Sequence, residues 1–306
     1  PTVTSYTRDD VFWLLSQAGR WVVEAGEEGR AVYRLAHQRL ADHLRPGGWT
    51  TPWKPVEEHE AVALAESLGK QALAWLKEDR PPEEQPYIWR YFWQHAVDAG
   101  EAGIGILREL ADSNAAYQAD LAMALNSLGI SYSELGRRSE ALPATEEAVM
   151  IWRELAAGNA GFRPHLAGGL NNLGIRYSEL GRRDEALPVT EEAVATYREL
   201  AASNTTFQSD LAMALNNLGV RFSQLGHLGE ALPATEEAVA TYRELVARDA
   251  ALCPDLAGAL NNLGTRYSEL GRHEEALTAA DEAVALHREL ASSNSAFRPE
   301  LAKALD

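Results

Sequence analysis

A single cysteine, Cys253, stands in 306 residues, so the chain can form neither an internal disulfide framework nor a cysteine-built metal site. Long apolar runs are missing as well. No stretch approaches the ~20 residues that span a bilayer, and no signal peptide opens the sequence, which predicts a cytoplasmic protein with no membrane partner. Basic residues are scarce: 28 Lys and Arg against 45 Asp and Glu leave a net charge of −17. Polyanion affinity needs clustered cations that displace counterions, so nucleic acid is not an expected partner. The acidity suits a basic protein or peptide, and it equally serves a chain that needs charge only to stay dissolved.

The signatures of catalysis are also missing. Gly69-Lys70 lacks both the earlier Gly and the following Ser or Thr of GxxxxGK[ST], so nucleotide hydrolysis cannot be assigned to these residues and no cofactor is expected. Glu57-Glu58-His59-Glu60 has no second His four residues beyond His59 and reads as a solvated acidic helix start, not a zinc-protease motif. His37 and His43 stand six apart and point to different faces of a helix, which argues against joint metal ligation. Gly100, Gly103 and Gly105 follow a helical stretch and not a strand, so they read as a helix junction. No Ser sits in GxSxG, and Cys253 before Pro254 reads as a packing residue. The expectation is a protein that is not itself an enzyme.

What the chain does have is repetition. Leu125 to Gly129 reads LNSLG, and LNNLG follows at Leu170, Leu215 and Leu260, an interval of 45 residues. Gly136, Gly181, Gly226 and Gly271 keep the register, as do Ala141, Ala186, Ala231 and Ala276, then Ala148, Ala193, Ala238 and Ala283. A period this long without strand-like alternation marks a supersecondary element copied in tandem, each copy covering its apolar face with the next. Leu121, Leu125, Leu128, Tyr132 and Leu135 step by 4, 3, 4 and 3, which predicts one apolar face of a helix A. Gly136 ends it, being free to take the left-handed conformation of a C-terminal cap. Ala141, Leu142, Ala148, Val149, Trp152 and Leu155 predict a longer helix B, with Pro143 in or near its first turn. Helix B is expected to end near Asn114, Asn159, Asn204, Asp249 and Asn294, residue types that tolerate a left-handed turn, with an aromatic or Leu tucked under three residues on.

Leu128, Gly129, Tyr132, Ala141 and Ala148, with their counterparts in the later copies, resemble the tetratricopeptide signature over roughly Asp120 to Asp306. The LNNLG wording and the long helix B look most like the kinesin light chain type. Two positions depart: the large aromatic usual early in helix A is Leu, and the terminal Pro is absent. The resemblance implies a mainly α fold, a right-handed superhelix in which helix A lines the concave side.

The front of the chain differs, with Trp13, Trp21, Trp49, Trp53, Trp75, Trp89 and Trp93 against Trp152 alone among the repeats. Residues 21–35 read as a hairpin about Ala25-Gly26-Glu27-Glu28-Gly29-Arg30, and His37 to Leu44, Glu57 to Lys77 and Tyr87 to Ala99 as helices. Asp10-Val11-Phe12-Trp13-Leu14-Leu15, the hairpin and Tyr33 to Leu44 resemble the end of the winged-helix module that follows the nucleotide-binding core of bacterial STAND NTPases, signalling ATPases related to NACHT and NB-ARC proteins. Tyr87 to Ala96 and Ala99-Gly100 are similar to the helical segment joining such a core to its repeats. The expected organisation is a winged-helix-like α/β remnant at 1–46, a helical linker at 47–118 and repeats at 119–306, four copies and the start of a fifth. Pro1 and the half-helix at Leu301 to Asp306 suit a fragment of a longer chain, with a nucleotide-binding domain upstream.

A helix A that turns Leu125, Leu128, Gly129 and Tyr132 to the core turns position 123, Asn126, Ser127, Ile130, Ser133 and Glu134 the other way. The polar part becomes Asn171, Asn172, Ser178 and Glu179; then Asn216, Asn217, Ser223 and Gln224; then Asn261, Asn262, Ser268 and Glu269. Asn offers a donor and an acceptor together, the complement of a peptide backbone, so the rows read as a groove for an extended segment. The kinesin light chain resemblance implies the same use. The other reading is that these Asn bridge neighbouring helices. Arg176, Arg221 and Arg266 flank the face, placed either to clamp an acidic ligand or to pair with a neighbouring Glu. The expected function is a ligand-sensing or partner-binding array, as the C-terminal sensor of a STAND-type ATPase. A free-standing scaffold, or the recruiting module of an enzyme whose catalytic domain lies elsewhere, are the alternatives.

Overall fold

The computed structural model describes residues 96–293 continuously, with helical positions at 65–66, 68–70, 72–74 and 93–94 before them. The hairpin at 21–35, the helix at 37–44 and the whole winged-helix-like remnant at 1–46 lie outside the described residues, as does the chain after 293. Within the helix expected at 57–77, the described positions are helical and bury Ala65, Leu68 and Ala72. Among the described residues there is no strand. The chain divides into two compact bodies, Pro1–Ala124 and Leu125–Asp306.

In the first body, α1 (Gly100–Ser113) buries Ile104, Leu107 and Leu110, and a 3-10 turn at Ala115–Tyr117 leads into α2 (Gln118–Glu134). The second body holds the rest of α2, then α3 (Arg138–Gly158), α4 (Arg163–Glu179), α5 (Arg183–Ser203), α6 (Gln208–Gln224), α7 (Leu228–Val246), α8 (Cys253–Glu269) and α9 (His273–Ser293). The even-numbered helices are the A helices of repeats 1 to 4, 17 residues each, and the odd-numbered ones from α3 are the longer B helices.

Each A helix stops at its glycine. Gly136, Gly181, Gly226 and Gly271 have φ between +72° and +79°, and the next residue's amide reaches back to the last helical turn, as Arg137 N donates to Tyr132 O at 2.7 Å. Leu135, expected on the core face, is 71% exposed, because the helix has ended at Glu134 and the side chain hangs from the turn. Helix B ends differently from the expectation. Asn159 is extended (φ −147°, ψ 111°), not left-handed, and its Oδ1 accepts from Gly161 N at 2.9 Å; Asn114, Asn204 and Asp249 do the same. The side chain caps the 3-10 turn that starts the next repeat, a use of Asn and Asp that competes with the left-handed one. Pro143, Pro188 and Pro233 stand at the sixth position of their B helices, just past the first turn, and face solvent.

A core cluster recurs along the array, with one centred on Leu170, one on Leu215 and one on Leu260. Leu125, Leu170, Leu215 and Leu260 are at most 1% exposed, and Ala148, Ala193, Ala238 and Ala283 are fully buried. Helices A and B cross where a glycine meets a threonine: a Cβ on Gly129, Gly174 or Gly219 would fall 2.2 to 2.4 Å from Oγ1 of Thr145, Thr190 or Thr235. Those hydroxyls are held by the carbonyls of Ala141, Ala186 and Ala231 at 2.8 to 3.0 Å.

Asp120, Asp210 and Asp255 share a place in the first turn of helix A, beside the buried Tyr117, Tyr197 and Tyr242. Burial pushes all three carboxyls up, that of Asp120 to about 6. A carboxyl whose folded value is raised favours the fold when protonated, so its stabilising contribution is complete below the unfolded value and lost as pH rises through the folded one. Glu140, Glu185 and Glu275 are held low by arginine hydrogen bonds, and what they contribute is lost only as pH falls below about 4. Thermal midpoints should therefore climb as pH falls from about 7 to about 5. The triple variant Asp120→Asn, Asp210→Asn, Asp255→Asn should flatten that slope in circular dichroism melts; an unchanged slope would assign it to the −17 net charge instead.

Candidate functional site

The A helices lie side by side in the second body, α4 against α6 and α6 against α8, and their polar positions meet across each junction. Asn172 Nδ2 donates to Asn126 Oδ1, Asn217 Nδ2 to Asn171 Oδ1 and Asn262 Nδ2 to Asn216 Oδ1, each at 3.0 Å. The second Asn of one repeat thus bonds the first Asn of the repeat before it. Asn261, at the far end, has its Nδ2 3.4 Å from His287 Nε2. Two turns on, Ser133 Oγ donates to Glu179 at 2.7 Å, Ser178 Oγ to Gln224 Oε1 at 2.9 Å and Ser223 Oγ to Glu269 at 2.9 Å. Two parallel polar ladders result, and Asn126, Asn171, Asn172, Asn216, Asn217, Asn262, Glu179, Gln224 and Glu269 all belong to them.

The arginines sit underneath. Arg176, Arg221 and Arg266 are only 6 to 7% exposed. Arg176 Nη1 donates to Gly129 O and Arg266 Nη1 to Gly219 O, both at 3.3 Å, and their Nε atoms face Glu179 and Glu269 at 3.5 and 3.1 Å. Arg221 faces Gln224, to which it donates at 3.0 Å. Burial pulls the Arg176 guanidinium below its ordinary value, while the carboxylates of Glu179 and Glu134 oppose that shift. A buried guanidinium held at a neighbour's backbone carbonyl acts as a tie between repeats.

Capacity for a ligand remains on this face. An amide side chain has two N–H groups and a carbonyl with two lone pairs, and a ladder bond uses one donor of one Asn and one acceptor site of the next. Asn171 is buried at 2%, whereas Asn126, Asn172, Asn216, Asn217, Asn261 and Asn262 are half-buried, and Glu134 and Glu269 are exposed. Met213, 39% exposed, with Asn217, Val220 and Gln224 forms a lengthwise stripe on α6 that mixes apolar and amide groups. Among the described residues no three His, Cys, Asp or Glu are grouped to hold a metal ion, and no helix is long and apolar enough to cross a membrane.

The tetratricopeptide repeat family matches residues 121–156, 166–204, 211–249 and 256–296, together just over half of the chain. The chain belongs to the tetratricopeptide repeat family. Among solved structures, BtubC (BKLC) from P. vanneervenii is 20% identical, with 77% of this chain and 92% of that one covered and a TM-score of 0.57. Aspartyl phosphate phosphatase F from Bacillus subtilis is 15% identical, with 99% of this chain and 80% of that one covered and a TM-score of 0.54. A Podosopora anserina protein with nearly identical TPR-like repeats of the kinesin light chain kind is 18% identical, with 76% and 98% covered and a TM-score of 0.45. At these identities the likeness concerns the fold. No curated protein matches the sequence.

The tetratricopeptide array carries a further group of residues that periodicity alone passes over. Repeat 3 reads Phe222, His227 and Leu228 where repeats 1 and 2 read Tyr, Arg and Arg. Aligning the four copies column by column exposes the difference at once, whereas a search for recurrence selects the columns that do not change. Phe222 borders an open cleft of about 420 Å³ between α5, α6 and α7.

Proposed function

We propose that the A-helix face of this interaction repeat domain binds an extended segment of a partner protein, through the amide capacity left on its Asn rows. The observation that carries this reading is the register of the rows: Asn126, Asn172, Asn217 and Asn262 are joined to their neighbours at one common spacing, so they present a regular line of polar groups across four repeats. A peptide backbone has donors and acceptors at regular intervals and suits such a line. Arg176, Arg221 and Arg266 hold Glu179, Gln224 and Glu269 of the second ladder, and those residues with Glu134 set the charge of one edge. That charge favours a basic segment. The reading extends to a sensor role: the repeats, following a linker at 47–118 and a winged-helix-like remnant at 1–46, would report ligand binding to a STAND-type nucleotide-binding domain upstream. The chain's resemblance to such proteins at Tyr33 to Leu44 and Tyr87 to Ala96 supports this.

Two measurements test the proposal. A photo-crosslinking amino acid at Val220, on the A face, should trap a partner in cells, while the same group at the exposed Ala240 of helix B should not. Trapping from Ala240 alone, or equally from both, would move the site off the A face. For the sensor role, ATP chemistry belongs upstream, so isothermal titration of this chain with Mg-ATP should release no heat of binding. Saturable micromolar binding would place nucleotide recognition in these residues and overturn that assignment.

A further inference from the structure

Repeats 1, 2 and 4 hold an internal arginine in a fixed setting. The guanidinium of Arg137, Arg182 or Arg272 lies over the ring of Tyr132, Tyr177 or Tyr267, 4.3 to 4.6 Å from its centre, and hydrogen-bonds Glu140, Glu185 or Glu275 three residues on. The hydroxyls of Tyr177 and Tyr267 donate to Glu146 and Glu236 of the preceding helix B, both at 2.8 Å. Repeat 3 keeps the receiving groups and loses the arginine. Its ring is Phe222, its carboxylate is Glu230, and His227 stands in the arginine's place with its ring centre 6.2 Å from that of Phe222. Glu191, the counterpart of Glu146, has no hydroxyl to accept from. Among the described residues, neither the Glu191 nor the Glu230 carboxylate has a hydrogen-bond or ion-pair partner.

Phe222, Glu191 and Glu230 border the cleft between α5, α6 and α7. Val194, Leu218, Phe222 and Pro233 give it an apolar lining, and its rim carries Glu191, Glu230 and the ion pair of Arg198 with Glu237 at 2.6 Å. An aromatic face, an apolar wall and two unpaired carboxylates are what a guanidinium on an aliphatic stem requires.

We propose that this cleft receives an arginine side chain from a basic segment of a partner protein. The stem lies against Val194 and Pro233, the guanidinium stacks on Phe222, and its N–H groups donate to Glu230 and Glu191. The incoming residue thereby rebuilds from outside the arrangement that the other repeats complete from within. The excess of acidic residues over the whole chain draws such a segment in. This site lies on different residues from the Asn rows and stands or falls independently of them.

The test uses the full chain with labelled Val and Leu methyl groups, titrated with N-acetyl-arginine methylamide and, as the uncharged isostere, N-acetyl-citrulline methylamide. The arginine probe should give saturable shifts at Val194, Leu215 and Leu218 with a Kd of about 1 mM, and the citrulline probe should bind at least about tenfold more weakly. His227→Arg restores the residue of the other three repeats, so it should melt no lower than wild type and weaken the probe by at least about tenfold. Glu230→Gln should weaken it as well, with the melt unchanged. Absent or non-saturating shifts, equal binding of citrulline, or full affinity in a folded His227→Arg protein would each overturn the proposal.

Discussion

Gly174→Val should lower the thermal midpoint by several degrees, a loss of roughly 1–3 kcal/mol typical of an overpacked crossing. A Cβ there would fall 2.2 Å from Thr190 Oγ1 and 3.4 Å from Ala186 O. Thr190 is 1% exposed and its hydroxyl is tied to Ala186 O at 2.8 Å, so relief requires the two helices to part. Repeat 4 supplies an internal control. Ala280 stands where the other repeats have threonine, and a Cβ on Gly264 meets nothing nearer than Ala276 O at 3.3 Å. Gly264→Ala should thus cost clearly less than Gly174→Ala, measured by circular dichroism melts. Equal costs would mean that the threonine contact does not set the crossing distance.

A second large effect is expected at the junction of repeats 1 and 2. Trp152 of α3 is 3% exposed and packs against Gly169 of α4, where a Cβ would meet two ring carbons at 2.6 Å and Val149 Cγ2 at 3.2 Å. The next two junctions use smaller rings and one more carbon: Tyr197 and Tyr242 stand where Trp152 does, and Ala214 and Ala259 where Gly169 does. Gly169→Ala alone should destabilise by roughly 1–3 kcal/mol, since an indole in a packed core cannot swing aside. Combined with Trp152→Tyr, it should recover most of that loss, giving a coupling of about 0.5–3 kcal/mol in a double-mutant cycle. Additive single costs would show that ring and glycine do not share the space.

Much of this fold can be read from periodicity. The leucines of LNNLG, the left-handed glycines after helix A and the buried alanine columns recur because each copy meets the same neighbour in the same way. Local geometry with two chemical solutions is less legible. Asn159 and its counterparts suit a left-handed turn or a side-chain cap equally well, and the 3-10 turn after them selects the cap. Leu135 fits the helical spacing yet lies one residue past the last helical turn, where spacing has no meaning. The Asn rows were legible as a feature, but their partners were not. Asn172 reaches Asn126, 46 positions away and not 45, because the side of an A helix that meets the repeat before it is not the side that meets the repeat after it, and which residues pair across that seam is decided by packing. Repeat 3 hid its exception in plain view, at Phe222 and His227, where two substitutions remove a hydroxyl and an arginine from a shared arrangement.

The Asn ladder has a consequence for how the array changes over generations. Repeats 2 and 3 each offer an acceptor Asn on one side, Asn171 or Asn216, and a donor Asn on the other, Asn172 or Asn217, so their Asn rungs can be exchanged. Excision or duplication of repeat 2 or repeat 3 leaves no Asn rung without its mate. Length can drift by recombination while each new Asn rung closes as the old ones did. Only a copy with its own exception, such as the third, would take its distinctive feature with it when it moved.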